Sequence, residues 1–357
     1  MRIHTFKCLG ALSVLPLLAF GSMLGAQSYS VVDIGALPGG NIVPTKINQS
    51  GQVIGQSGKM YGVRTHAFVF TGGKLFDIGT LPSGEYSSAS DVNTKGTVVG
   101  ESNTATNIHA FIWDSTGGLQ DLGTFSGDNG SRAFGINDSD QVVGYSSGAH
   151  EPIAFLWTKS TGMTSLGTLP GGDHSEAYGI NNSGTVVGVA STDSDQKHAF
   201  VWTATAGMQD IQTLPGDIAS EARKVSVTGI VIGSSIGANV THAFLWTAAN
   251  GMQDIGTLNG DSTSALDINN KSEIVGTSNA SMSGHAFYWS PATGIKDLND
   301  LIPANTGAIL TSATTINNAG WILALGAVTT DKSQPLQLDD THHHAGPIHA
   351  FLLKPVR

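Results

Sequence analysis

The chain runs to 357 residues, 40% of them hydrophobic and 12% charged, with a net charge of −10. That composition packs a core, so it excludes a disordered acidic polymer, and its sign excludes the basic patches that nucleic acids and anionic membrane surfaces require. The 46 glycines follow no collagen period and point to many tight turns.

Residues 1–26 differ from the rest. Arg2 and Lys7 stand ahead of or beside the apolar run CLGALSVLPLLAF, which gives way to the small residues of GSMLGA. This is the three-part layout of an export signal, with cleavage expected after Ala26. An uncleaved anchor is the alternative, but the run falls short of the roughly 20 residues that cross a bilayer. Cleavage removes Cys8, the one cysteine, and two basic residues, which moves the net charge from −10 to −12. The expected mature chain, 27–357, has no thiol and no membrane span, and is held together by core burial alone. Its expected location is extracellular or periplasmic.

Beyond the signal, three phrases recur in fixed order. The phenylalanine of H-A-F falls at Phe68, Phe111, Phe155, Phe200, Phe244, Phe287 and Phe351. A phrase of the form D-I-G-T-L starts at Asp33, Asp77, Asp121, Ser165, Asp210, Asp254 and Asp297. The second residue of I-N falls at Asn48, Asn93, Asn137, Asn181, Ser226, Asn269 and Asn317. Each ruler counts seven, at a spacing of about 44 residues, which marks a repeat architecture.

One repeat resolves into four short strands: AYGIN (177–181), TVVGVA (185–190), HAFVW (198–202) and MQDIQTL (208–214). The turn NNSG joins the first two. Three residues after the I-N asparagine stand Gly51, Gly96, Asp140, Gly184, Gly229, Ser272 and Gly320, a pattern that predicts positive φ there. Four strands per unit suit a β-propeller blade or a solenoid turn. The ends decide between them. SYSVVDIGAL (28–37) is a D-I-G strand with no H-A-F strand before it, and HAFLLKPVR (349–357) is an H-A-F strand with no D-I-G strand after it. The expected fold is therefore all-β, a seven-bladed β-propeller of four-stranded blades, its ring closed by the N-terminal strand completing the last blade.

The phrases INNSGTVVG, HAFLW and DIGTL resemble those of the bacterial extracellular HAF-repeat family, over essentially all of residues 29–357. The resemblance implies an exported repeat protein and brings no catalytic residue or cofactor.

Features present in nearly every repeat belong to the scaffold. His66, His109, His198, His242, His285 and His349 head six of the seven H-A-F strands, and placed in separate blades they lie too far apart to share a metal. The remaining repeat, third in chain order, has Ile153 in place of His and Ser165 in place of Asp, so the two losses coincide. The expected pairs are buried: His66 with Asp77, His109 with Asp121, His198 with Asp210, His242 with Asp254, His285 with Asp297, and His349 with Asp33 across the ring closure. They would resemble the His–Asp network of tryptophan–aspartate repeat propellers.

Function belongs where the repeats differ. The connection between V-V-G and H-A-F varies freely and swells to residues 327–348 in the last repeat. That loop holds Asp339, Asp340, His342, His343 and His344, but adjacent ligands seldom converge on one ion, so no metal is assigned. Four residues before each I-N stand Val43, Ser88, Arg132, Glu176, Glu221, Ser264 and Ser312. Arg132, Glu176 and Glu221, with Arg223, are the candidate ligand-binding residues at one mouth of the channel. Three readings stand for them: an acid–base pair on a glycosidic bond, hydrogen bonds to sugar hydroxyls, or surface ion pairs. The chain has no catalytic-cysteine pattern, phosphate-binding glycine motif or spaced metal-ligand set, so no cofactor is assigned. The expected function is a monomeric binding scaffold for a glycan or an extracellular or envelope protein. The alternative is a propeller hydrolase or lyase acting on extracellular polysaccharide, since one fold hosts both.

Overall fold

The computed structural model describes residues 28–33, 41–58, 65–258, 260, 262–280, 283–328 and 349–356. The expected export signal and most of the long loop, with Asp339, Asp340, His342, His343 and His344, lie outside the described residues. Those described form 28 strands and two short 3-10 turns. The repeat around Phe200 folds as one antiparallel sheet in the order Ser175–Ile180, Val186–Ser191, Lys197–Thr203, Gly207–Asp210. Consecutive strands build the same sheet over 41–79, 87–121 and 130–167. Residues 219–254 and 262–297 form two further four-stranded sets, joined by a single parallel bridge from Thr241 to Ser262. The last sheet breaks sequence order: Tyr29–Asp33 pairs with His349–Pro355, followed by Ile322–Val328 and Ala308–Ile316.

The repeated phrases explain why these sheets stack. Successive side chains of a strand leave opposite faces, so V-V-G and H-A-F each offer one apolar group to either side. Val186 and Phe200 pack with Val143, Ala154 and Leu166 of the preceding sheet. Val187 and Ala199 pack with Ala222, Val225 and Phe244 of the following one. All seven phenylalanines are buried to 2% exposure or less, each contributing about 1.5–3 kcal/mol by leaving water. The first and last sheets meet through the same parts, with Ile47, Val53 and Phe68 against Leu323.

A second set of bonds runs along the I-N asparagines. Within its own repeat the Asn181 Oδ1 accepts from the backbone N–H groups of Ser183 and Thr185, both at 3.0 Å, and so closes the hairpin turn. Its Nδ2 donates to the Ser226 carbonyl in the next repeat at 3.0 Å. Asn48 donates likewise to Asn93, Asn93 to Asn137, Asn137 to Asn181, and Asn269 to Asn317. Asn317 donates back to the Asn48 carbonyl at 3.2 Å. Ser226 interrupts the series. Its Oγ accepts from Ile230 N but has no second arm to reach the next repeat. The turn residues have positive φ in all seven repeats, including Asp140 at 58° and Ser272 at 61°.

Restoring the missing arm gives a direct check. Ser226→Asn is expected to raise unfolding stability by about 1 kcal/mol, the worth of one added hydrogen bond. Urea unfolding measures it, and a lower midpoint would contradict this account of the asparagine series.

Candidate functional site

Each first strand carries a β-bulge, and the site follows from it. Gly188 in the second strand approaches so closely that a Cβ would lie 1.9 Å from the Glu176 carbonyl oxygen. At Gly55, Gly100, Gly144, Gly233 and Gly276 the corresponding distance is 1.8–2.2 Å, so only glycine fits. Opposite each glycine the ladder skips one residue of the first strand, as between Ala177 and Gly179. The last sheet makes the same shift between Ala313 and Thr315. A bulge re-aims the extra side chain. The seven extra residues are Thr45, Ser90, Phe134, Tyr178, Arg223, Leu266 and Thr314, and all of them line one cavity of about 410 Å³.

One wall of this cavity is aromatic. Phe134 meets Tyr178 edge-on with ring centroids 5.4 Å apart, and Tyr145 backs Phe134 at 5.7 Å. The Arg223 guanidinium lies 5.3 Å from the centre of the Tyr178 ring. Beside them Glu176 accepts a 2.9 Å bond from the Tyr178 hydroxyl and sits 3.1 Å from His174 Nε2. Burial alone would raise the Glu176 pKa, but the bonds from His174 and Tyr178 outweigh it and hold the carboxyl below its ordinary value. The Tyr178 hydroxyl is pushed well above its ordinary value by burial and by the Glu176 charge.

Lys46 and Lys224, the next residues along their strands, form its floor, and Asp91, Gly135, Gly179, Asp267 and Thr315 hold the same position in the other repeats. Lys46 Nζ lies 2.7 Å from Asp267, and Lys224 Nζ lies 3.0 Å from Asp91. Asp267 also accepts from the Thr315 hydroxyl at 2.5 Å and from Ile316 N at 2.9 Å. Burial opposes the charge on Asp267, yet Lys46 and Lys224 hold its pKa below the ordinary carboxylate range. Burial likewise opposes the charge on Lys224, and Asp91 and Asp267 overcome it to raise the pKa. On the other side of this floor, facing the I-N turns, lies a second cavity of about 180 Å³ that includes Asp91, Asp267 and the same two lysines.

The four candidate residues divide. Glu176 and Arg223 line the larger cavity. Glu221 instead bonds Nε and Nη2 of Arg223, at 2.9 and 2.6 Å. Arg132 pairs across repeats with Glu101, whose other oxygen accepts from Tyr86. Burial and the Glu101 charge push the Tyr86 hydroxyl up to about 12. The register four residues before I-N therefore does not as a whole line the cavity; the bulge moves that role two residues onward. The charged floor was missed by the sequence reading. Its signal was the column just before the I-N isoleucine, where two lysines and two aspartates stand among glycines.

Four of the six H-A-F histidines meet the expected aspartates. His66–Asp77, His109–Asp121 and His198–Asp210 stand at 2.8 Å, and His285–Asp297 at 2.6 Å. His242 does not pair with Asp254; it bonds Asp217 at 3.0 Å. Asp217 is 5% exposed, so its carboxylate has little water and takes the histidine that the solvated Asp254 can forgo. The side chain of Asp33 lies outside the described residues, although its backbone stands opposite Phe351 as Asp210 stands opposite Phe200. These histidines are not fully buried as expected, since His66 is 37% exposed at the sheet margin.

No family model matches the chain, and no curated protein matches it. Among solved structures, a virginiamycin B lyase from Staphylococcus aureus superposes with a TM-score of 0.50 at 6% identity, covering 93% of this chain and 100% of that one. A prolyl endopeptidase gives 0.52 at 10% identity, covering 85% of this chain and 48% of that one. TolB from Acinetobacter baumannii gives 0.45 at 10% identity, covering 69% of this chain and 62% of that one. The chain thus spans about half to two thirds of the length of two of these proteins. The fold is that of the β-propellers. At such identity the likeness shows the fold alone. Among the described residues no helix is long and apolar enough to cross a membrane.

The floor carries a stability prediction. Lys224→Met strands Asp91 and is expected to cost about 3–5 kcal/mol, whereas Lys224→Met with Asp91→Leu recovers most of the loss. Because Asp267 is depressed, its contribution is present above the unfolded carboxylate pKa of about 4 and lost as pH falls through the folded value. Thermal unfolding of both variants between pH 3 and 7 measures these effects; equal stability of single variant and parent would contradict them.

Proposed function

We propose that this chain is an exported, seven-bladed propeller, closed by its N-terminal strand, that binds saccharides in the cavity formed by its bulge residues. The pairing of Tyr29–Asp33 with His349–Pro355, and the bond from Asn317 to Asn48, support closure. Export rests on the layout of residues 1–26, and the repeated phrases support membership of the HAF-repeat family.

One observation carries the binding reading. Phe134 and Tyr178 form an aromatic wall next to an ionised carboxylate and a guanidinium, all within a single cavity of about 410 Å³. A pyranose ring has an apolar face of C–H groups and a rim of hydroxyls. Aromatic faces suit the first, and charge-assisted hydrogen bonds suit the second. The volume falls within the range of ligand pockets, about 300–1,000 Å³.

Binding is favoured over hydrolysis by the state of the acids. A glycosidic acid must keep its proton near neutral pH. Glu176 is pulled the other way by His174 and Tyr178, and Glu221 is engaged by Arg223 at 2.6 Å instead of facing the cavity.

A glycan array with the full chain tests the reading, followed by titration of the best saccharide. Tyr178→Ala and Glu176→Gln are each expected to weaken binding about tenfold or more while thermal unfolding stays cooperative. Absence of binding to every saccharide, or undiminished binding by both variants, would contradict it.

A further inference from the structure

Among the described residues two histidines stand outside H-A-F, His150 and His174, and both flank the repeat in which Ile153 replaces the H-A-F histidine. Asp128 and Asp217 hold the same position in two repeats, nine residues before the I-N column. Asp217 takes His242 of H-A-F, whereas Asp128 takes His150 from the loop ahead of Ile153, at 3.0 Å. The Asp128 side chain has 0% exposure, so the loop is anchored in the interior. His150 Nδ1 also donates to the Glu151 carbonyl at 2.8 Å, and the Pro152 carbonyl accepts from Ser175 N at 2.8 Å. Glu151 is thereby brought to the start of the following sheet, with Oε2 3.7 Å from His174 Nδ1. The adjacent repeats hold Gly130 and Ala219 at the position of His174. Two backbone bonds to Ser191, of 3.0 and 2.9 Å, pin His174 in place. Its buried Nε2 meets no group among the described residues but Glu176 Oε1, at 3.1 Å. The imidazole thus stands between a loop carboxylate and a cavity carboxylate. With the Tyr178 hydroxyl on its other oxygen, Glu176 is held at both oxygens, and each keeps a lone pair for a ligand.

We infer that His174 is a positioning residue for the cavity: placed between Glu151 and Glu176, it fixes the Glu176 carboxylate as an acceptor turned toward the bulge residues. This deepens the saccharide reading, on which it rests, by naming the group that aims its acceptor. His174 touches no ligand and acts through Glu176. A hydroxyl that donates to a carboxylate already fixed in direction spends less on ordering it. Glu151 is 63% exposed and holds the ring weakly, so the constraint comes mainly from the buried contact with Glu176. Burial opposes the charge on Glu176; His174 and Tyr178 overcome it, helped by Lys197 of the third strand. The other titratable groups nearby are Tyr145 of the preceding sheet, and Arg223 and Glu221 beyond Tyr178. Without His174 burial is less opposed, so the carboxyl takes up its proton at higher pH and the charged acceptor is lost earlier as pH falls.

Carboxyl carbon NMR of the full chain, titrated without saccharide, reads Glu176 directly, its signal identified by its loss in Glu176→Gln. His174→Leu is expected to move the midpoint up by about one pH unit or more, and His174→Gln, which keeps an N–H donor of similar reach, by less than about half of that. An unmoved midpoint in His174→Leu overturns the assignment. If that variant no longer unfolds cooperatively, nitrogen NMR of the parent decides: Nε2 of His174 is expected to carry its proton at neutral pH, and a bare Nε2 overturns the assignment. The glycan array is then read at about pH 5 and pH 7, where His174→Leu is expected to lose about threefold more binding at the lower pH than the parent does. Equal binding by His174→Leu and the parent at both pH values overturns the role of His174 and leaves the saccharide reading standing. Failure of the parent to bind any saccharide overturns the saccharide reading alone, since the carboxyl titration judges His174 without one.

Discussion

A four-stranded sheet that is apolar on both faces has no stable place by itself in water. Val186 and Phe200 require one neighbour, and Val187 and Ala199 require another. Every repeat carries the same demand, so each sheet is completed by the sheets before and after it, and the first and last meet through Ile47, Phe68 and Leu323. The low charged fraction follows, because most strand positions lie between sheets. The asparagine series adds directional bonds to this non-directional packing and fixes the spacing of the inner turns from one repeat to the next.

The bulge turns that frame into a site. In six repeats a glycine in the second strand lets the first strand come too close for any Cβ, in the last repeat Ala324 holds that position, and in all seven one residue is left out of the ladder. Freed from pairing, these residues vary: Thr45, Ser90, Phe134, Tyr178, Arg223, Leu266, Thr314. The residue that follows each of them is back in the ladder, and in four repeats it is charged: Lys46 reaches the buried Asp267, and Lys224 the buried Asp91, from other repeats. Scaffold and site are thus adjacent residues of the same strand, separated by one hydrogen-bonding register.

Much of the repeat was legible in the sequence because its rules are local. The hairpin turns follow from the glycine, aspartate or serine three residues past the asparagine, and the strands from V-V-G and H-A-F. Contacts between repeats were less legible. His242 pairs with Asp217, from the connection leading into its own sheet, because Asp217 is buried and Asp254 is not, and burial is a property of the assembled fold. Of the column four residues before I-N only Glu176 lines the cavity, for a similar reason: a bulge exists only between two paired strands, and a count along one strand cannot show it. The floor lay within reach of the sequence, since its column holds two lysines and two aspartates, but that column draws meaning only once the first strands are known to converge.

The central claim is that the bulge residues form the binding surface of this propeller. A crystal structure of the full chain soaked with the saccharide that binds best on the array tests it most directly. The account predicts a sugar ring against Tyr178 and Phe134, with its hydroxyls beside Glu176 and Arg223. A saccharide seated on the I-N turns, or at the outer sheet margins among the His–Asp pairs, would contradict it.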